Sequence, residues 1–90
     1  MIINNLSNTT EMMESADYKE RFKAEYYQLV YRYNKLRNMY TKGILGKLNF
    51  TPKCPMSTYD LQLKAMANYI AILETRAVIE EIILEKVIVE

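Results

Sequence analysis

Three side chains that could bind a ligand recur at seven-residue intervals in the second half of the chain. Gln62, Tyr69 and Arg76 are each two helical turns apart, so a helix would place them on one stripe of an otherwise apolar face. Burying an unpaired polar group is costly, so we expect these three side chains to have polar partners, either in a ligand or on another helix. One interpretation is a ligand site, in which Gln62 reads a base edge or ribose, Tyr69 stacks on a base and Arg76 binds a phosphate. The alternative is a polar layer that fixes the register of helices between subunits.

Tyrosine is over-represented in the first half of the chain. Six of the eight tyrosines lie between residues 18 and 40. A tyrosine ring can pack in a half-wet subunit interface while its hydroxyl finds a partner, and it can also stack on a nucleobase. Tyr27 and Tyr31, one helical turn apart, are the candidates for base stacking, and a subunit interface is the alternative.

Lysines cluster where the first half of the chain ends. Lys42, Lys47 and Lys53 lie close to Phe50 in a segment that contains both glycines and both prolines. Flexible cations beside a helix end could close over an anion, so Lys42 or Lys47 could neutralise phosphates together with Arg76. Lysines in a loop are also common solubility residues, and this alternative stays open.

The composition excludes several classes of active site. The 90 residues include no His, one Cys and two Gly, which removes His-based triads, the usual zinc sites and glycine-rich phosphate loops. Cys54 has no neighbouring base, and Glu80 and Glu81 would point about 100° apart on a helix. We therefore predict a protein that is not an enzyme, with no catalytic residue, no metal and no cofactor. The net charge of +1 argues against a protein that coats DNA.

The apolar pattern predicts an all-α fold, an antiparallel two-helix hairpin. A first helix over 16–41 is predicted with Ser15 or Asp17 as its N-cap and Gly43 as its stop signal. Its apolar residues recur at alternating spacings of four and three, which is a heptad seam. The members of this seam are Phe22, Tyr26, Leu29, Tyr33, Leu36 and Tyr40.

A second helix is predicted over 58–84, after a linker over 42–57 and a capping box that starts at Ser57. Residues 1–15 are predicted to be a flexible arm, and the β-branched tail over 85–90 to fray or turn extended. Residues 16–90 then form one helical domain. The second helix has its own heptad-like seam, which comprises Leu63, Met66, Ile70, Leu73, Ala77 and Leu84.

Two helices cannot cover all the apolar surface that this sequence carries. A chain of this length buries only about 60–65% of its unfolded surface, so a lone monomer would be marginal. Outside the two seams, five further residues require cover, most simply from another copy in a homo-oligomer. They are Tyr27, Tyr31, Ile72, Ile79 and Ile83.

Three segments together resemble a known group of proteins: YKERFKAEYYQL, LNFTPKCP and LQLKAMANYIAILETRAVIE. The pattern Gln62, Met66, Tyr69, Leu73 and Arg76-Ala77 resembles small phage-encoded helical-hairpin proteins. More remotely, it is similar to the phage anti-CBASS and anti-Thoeris signal-sponge family. The resemblance covers residues 18–82 and implies a helical oligomer that binds cyclic-nucleotide immune messengers without cleaving them. It gives functional weight to Gln62 and Arg76.

The leading hypothesis is therefore a phage counter-defence sponge for a small nucleotide-type signal. One alternative is an inhibitor or adaptor that binds a host protein, such as an anti-CRISPR, which requires Tyr27 and Tyr31 to be exposed. Another is a structural oligomer. The chain has neither a signal-peptide pattern nor an apolar run of the ~20 residues that span a membrane, so we expect a cytoplasmic protein without membrane contacts. Acidic residues among the basic ones of the first helix argue against nucleic-acid binding.

Overall fold

A computed structural model of the chain describes residues 1–89, and Glu90, the last residue of the predicted tail, lies outside the described residues. The protein is mostly helical, with two long helices packed against each other, and that part of the predicted fold is confirmed. The elements in chain order are β1 (Ile2–Ile3), a 3-10 turn (Leu6–Thr9), α1 (Thr10–Met13), α2 (Tyr18–Ile44), α3 (Met56–Ile79) and β2 (Ile88–Val89).

The start of α2 is fixed by side-chain hydrogen bonds. The carboxylate of Asp17 accepts a hydrogen bond of 2.9 Å from the backbone N–H of Lys19, which satisfies a donor that has no partner within the helix. The Ser15 hydroxyl accepts from the N–H of Asp17 at 3.0 Å. Of the two predicted capping residues, Asp17 is thus the N-cap and Ser15 supports it.

The end of α2 lies at Ile44, three residues beyond the predicted end. Gly46 has a φ of 69° and takes the left-handed position that follows the helix. The N–H groups of Lys47 and Gly46 donate to the carbonyls of Lys42 (2.8 Å) and Gly43 (3.2 Å), which is the bonding pattern of a Schellman motif. Gly46, rather than Gly43, therefore ends the helix.

The second long helix, α3, begins at Met56 rather than at residue 58 and ends at Ile79 rather than at 84. Its end repeats the geometry of α2, with Glu81 at a φ of 58°. The N–H of Ile82 donates to the carbonyl of Ala77 at 2.8 Å, and both side chains are buried in the core. The early end is thus a second Schellman motif, built without a glycine.

The core lies where α2 and α3 face each other. Phe22 and Tyr26 on α2 and Leu73 and Ala77 on α3 are buried in it, as the two heptad seams predict. The hydroxyl of Tyr26 donates to the Glu74 carboxylate at 2.9 Å. Burial, this hydrogen bond and the negative charge of Glu74 raise the pKa of Tyr26 to about 12.

Residues 1–15, which were predicted to be a flexible arm, instead pack onto α2. The other end of the chain packs onto α2 as well. Ile3 is completely buried, and β1 pairs in parallel with β2, with Ile2 opposite Ile88. The Thr9 hydroxyl, also buried, accepts a hydrogen bond of 2.8 Å from Gln28 of α2. The predicted extended tail is present as β2, and the two ends together cover one side of α2.

Within residues 1–89, no helix is both long enough and apolar enough to cross a membrane.

Candidate ligand-binding site

A cleft of about 460 Å³ lies where the last turns of α2 meet the segment that follows it. We call it the lysine cleft. It is lined by Lys35, Asn38, Met39, Lys42, Lys47, Leu48, Asn49 and Phe50.

Two features of the local sequence build the lysine cleft. Lys35, Asn38 and Lys42 lie on one face of α2, because residues three, four and seven apart share a face of a helix. The left-handed turn at Gly46 then reverses the chain, so that residues 47–50 return across this face. The hydrogen bond from the N–H of Lys47 to the carbonyl of Lys42 holds the two sides of the cleft together.

The lining groups are those that bind a phosphorylated, partly aromatic molecule. Among the described lining residues three are lysines and none is acidic, and Lys42 and Lys47 bring positive charge to the cleft although the chain is nearly neutral. Asn38 and Asn49 each offer an amide that donates and accepts hydrogen bonds. Phe50 is 55% exposed and presents a ring on which a base can stack. Because the cleft lies at the negative end of the helix dipole, an anion must be held by the lysine side chains.

Lys42 and Lys47 are thus brought together by the structure, whereas the other predicted site residues lie elsewhere. Tyr27 is only 2% exposed and its hydroxyl accepts a hydrogen bond of 3.1 Å from the N–H of Glu85. Tyr31 is half-buried and donates to the carbonyl of Asn4 at 3.3 Å. Both rings pack under the chain ends. The burial of Tyr27 also argues against the adaptor hypothesis, which needs this face to be exposed.

Arg76 joins the start of α2 to the end of α3. Its Nε donates to Glu80 at 3.0 Å and its terminal nitrogen donates to the hydroxyl of Tyr18 at 2.5 Å. Its guanidinium lies 5.0 Å from the centre of the Phe22 ring, a cation–π distance. The hydrogen bonds from Tyr18 and then Arg76 lower the pKa of Glu80. The arginine is therefore held by partners within the chain.

Gln62 and Tyr69 lie on α3, which contributes no described residue to the lining of the lysine cleft. Gln62 is exposed. The hydroxyl of Tyr69 donates to the carboxylate of Glu25 on α2, and its ring borders a smaller hollow of about 260 Å³ beside Arg21 and Arg32. The seven-residue spacing does place Tyr69 and Arg76 on one side of α3, and each bonds to α2 there. Both bonds lie within one chain, whereas the alternative predicted from the sequence is a polar layer between subunits.

Sequence reasoning missed five lining residues of the cleft: Lys35, Asn38, Met39, Leu48 and Asn49. The first three could have been found from their spacing of seven, four and three residues to Lys42 on one helix face. Leu48 and Asn49 could not, because their positions depend on the reversal of the chain at Gly46.

Comparison with known proteins gives a family for this architecture. A family model described as Sequestin matches residues 16–79, which include α2, the connecting segment with its lysine cleft, and α3. The chain belongs to the Sequestin family. The name of this family suggests a protein that binds and sequesters, rather than an enzyme, and the resemblance to sequestering sponge proteins is confirmed. No curated protein and no solved structure matches the chain.

Proposed function

We propose that this Sequestin protein binds a nucleotide-type immune signal in the lysine cleft and sequesters it as a phage counter-defence protein in the cytoplasm of the infected cell. The observation that carries the proposal is the composition of the cleft, which combines Lys42 and Lys47 with two amides and an exposed aromatic ring. Sequestration lowers the free signal by mass action, so it depends on affinity and abundance and leaves the signal intact.

Each lining group has a role in the proposal. Lys42 and Lys47 neutralise phosphate oxygens from the two sides of the cleft. Phe50 stacks on the base, and Asn38 and Asn49 hydrogen-bond to base edges or ribose hydroxyls. Of the residues predicted from the sequence, the proposal retains Lys42 and Lys47 as ligand-binding residues. Arg76 instead positions α3 against α2.

Calorimetric titration of the full chain against cyclic dinucleotides, cyclic trinucleotides and ADP-ribose derivatives tests the proposal. We expect at least one of these ligands to bind with a dissociation constant in the micromolar range or below. If no member gives heat with the protein well above micromolar concentration, the proposal is wrong.

The cleft is tested separately by three matched variants. Lys42→Ala and Lys47→Ala each remove one charge-assisted contact, and we expect each to weaken binding by about tenfold, which corresponds to about 1.4 kcal/mol. Lys53→Ala is the control, because it removes the same charge from the same segment at a residue outside the lining of the cleft. Equal losses in all three variants would show a general charge effect and contradict the assignment of the site.

A further inference from the structure

Gly43 lies in the last turn of α2, where the backbone does not require a glycine. Of the two glycines, both within the described residues, only Gly46 has a positive φ, so residue 43 has a backbone conformation that other residues adopt freely. A glycine in a helix is less favourable than an alanine, because it gives the unfolded chain more freedom. The side chains that pack against Gly43 supply a reason for it.

Leu48 and Met56 fill the space where a side chain of residue 43 would lie. A Cβ atom built there would overlap the methyl carbon of Met56 and would lie 3.3 Å from its sulfur. The same Cβ would lie 3.2 Å from Cδ1 of Leu48, which is below the ~3.5–4.0 Å of an optimal contact between carbon atoms. Both side chains are half-buried. The segment between the helices and the first residue of α3 thus pack together against Gly43.

Leu48 connects this packing to the ligand-binding site. It belongs to the stretch over 47–50, which lines the lysine cleft opposite α2 and which we call the loop wall. The side chain of Met56 is unbranched and can turn away from an obstacle. The branched side chain of Leu48 is shorter, and the backbone that carries it is part of the loop wall. A side chain at residue 43 would therefore push on the loop wall through Leu48.

We propose that Gly43 is a positioning residue for the lysine cleft: it leaves room for Leu48, so that the loop wall lies across the face of α2 with Lys47 beside Lys42. Gly43 is not among the described lining residues, so it acts through the loop wall and not by contact with a ligand. The hydrogen bond of 2.8 Å from the N–H of Lys47 to the carbonyl of Lys42 reports the position of the loop wall. The role of Gly43 in binding rests on the proposed function, whereas its effect on the loop wall does not.

Gly43→Val in the full chain tests the effect on the loop wall without a ligand. The change places a branched side chain against Leu48, so the hydrogen bond between Lys47 and Lys42 should open more often. We expect the amide hydrogen of Lys47, followed by NMR, to exchange with solvent at least about tenfold faster than in the wild type. Leu45→Val is the matched control, because it introduces the same residue two positions later, where the side chain is 60% exposed. We expect this control to keep the wild-type exchange rate.

The affinity for a ligand tests the positioning role. The probes are the cyclic dinucleotides, cyclic trinucleotides and ADP-ribose derivatives of the calorimetric panel. Each variant is titrated at a temperature at which circular dichroism shows it to be folded, so that a loss of affinity is not a loss of folded protein. We expect Gly43→Val to weaken the binding of the probe that the wild type binds by about tenfold, and Leu45→Val to leave it unchanged. A merely structural role for Gly43 would lower the melting temperature and leave the affinity unchanged.

Gly43→Ala covers the case in which Gly43→Val loses its helical circular dichroism. Its single methyl group overlaps the end of Met56 and crowds Leu48, and we expect exchange at Lys47 to become about threefold faster. The further change Met56→Ala removes the overlapping methyl carbon, so the double variant should regain the wild-type rate. A double variant that exchanges as fast as Gly43→Ala would contradict the packing argument.

The two measurements separate this proposal from the proposed function. Equal exchange at Lys47 in Gly43→Val and Leu45→Val overturns the effect on the loop wall, whether or not a ligand binds. Faster exchange with unchanged affinity overturns the positioning role. A wild type that binds no member of the panel overturns the proposed function and, with it, the role of Gly43 in binding, and the exchange rates then show separately whether Gly43 places the loop wall.

Discussion

The left-handed residue that ends α3 provides a quantitative test of the local structure. Glu81 has a φ of 58°, a conformation that costs a residue with a Cβ about 1–2 kcal/mol. Glycine avoids this cost, but it gives the unfolded chain more freedom, which costs about 0.5–1 kcal/mol. The difference predicts that Glu81→Gly stabilises the protein by about 0.5–1 kcal/mol. For a domain of this size, the melting temperature should rise by about 2–8 °C.

The matched control for this test is Glu81→Ala, which removes the same carboxylate but keeps the Cβ. Thermal unfolding followed by circular dichroism should show the rise for glycine and not for alanine. Gly46→Ala is the converse change, and it should lower the stability by about 1 kcal/mol. Nothing lies within 4 Å of a Cβ built at Gly46, so this loss comes from the backbone alone. If Glu81→Gly and Glu81→Ala shift the melting temperature equally, the charge explains the effect and the backbone argument is wrong.

Two further predictions concern pH. The pKa of Tyr26 is raised from 10.0 to about 12, so the contribution of Tyr26 to the stability of the fold is present below pH 10 and is lost as the pH rises through 12. In a titration followed by tyrosinate absorbance, the wild type should show a late phase that Tyr26→Phe removes. A wild-type titration without that phase would contradict the burial of Tyr26. The hydrogen bonds from Tyr18 and Arg76 lower the pKa of Glu80 below its ordinary value of 4.5, so its contribution is present above pH 4.5 and is lost as the pH falls through the lower, folded-state value. Glu80→Gln should therefore melt below the wild type at neutral pH, and a gap that persists in strong acid would contradict this.

Much of the fold could be predicted because its two long helices depend on local spacing. Phe22, Tyr26 and Leu73 are members of the predicted seams and are buried, since a heptad row has to face a partner helix. The ends of the helices were less predictable. Gly43 is the first glycine after the seam, but Gly46 is the residue that adopts a positive φ. Glu81 has no compositional signal at all, because glutamate is rare in this conformation.

The packing of both chain ends onto α2 could not be predicted, because it depends on residues at opposite ends of the chain. The pairing of Ile3 with Val89 brings together residues that no local pattern connects. Tyr26 and Tyr27 illustrate the consequence. They are adjacent in the sequence and point about 100° apart on a helix, and both are buried, Tyr26 beside α3 and Tyr27 beneath the chain ends.

The candidate site could be predicted in part for the same reason. Lys42 and Lys47 stand out in the sequence as cations beside a helix end. Their partners Asn38 and Asn49 do not, because a polar residue on an exposed helix face and another in a loop have no distinguishing pattern until the turn at Gly46 brings them together. Tyr69 and Arg76 follow the regular seven-residue spacing. Both side chains hydrogen-bond to residues of α2, and these bonds hold α3 against α2.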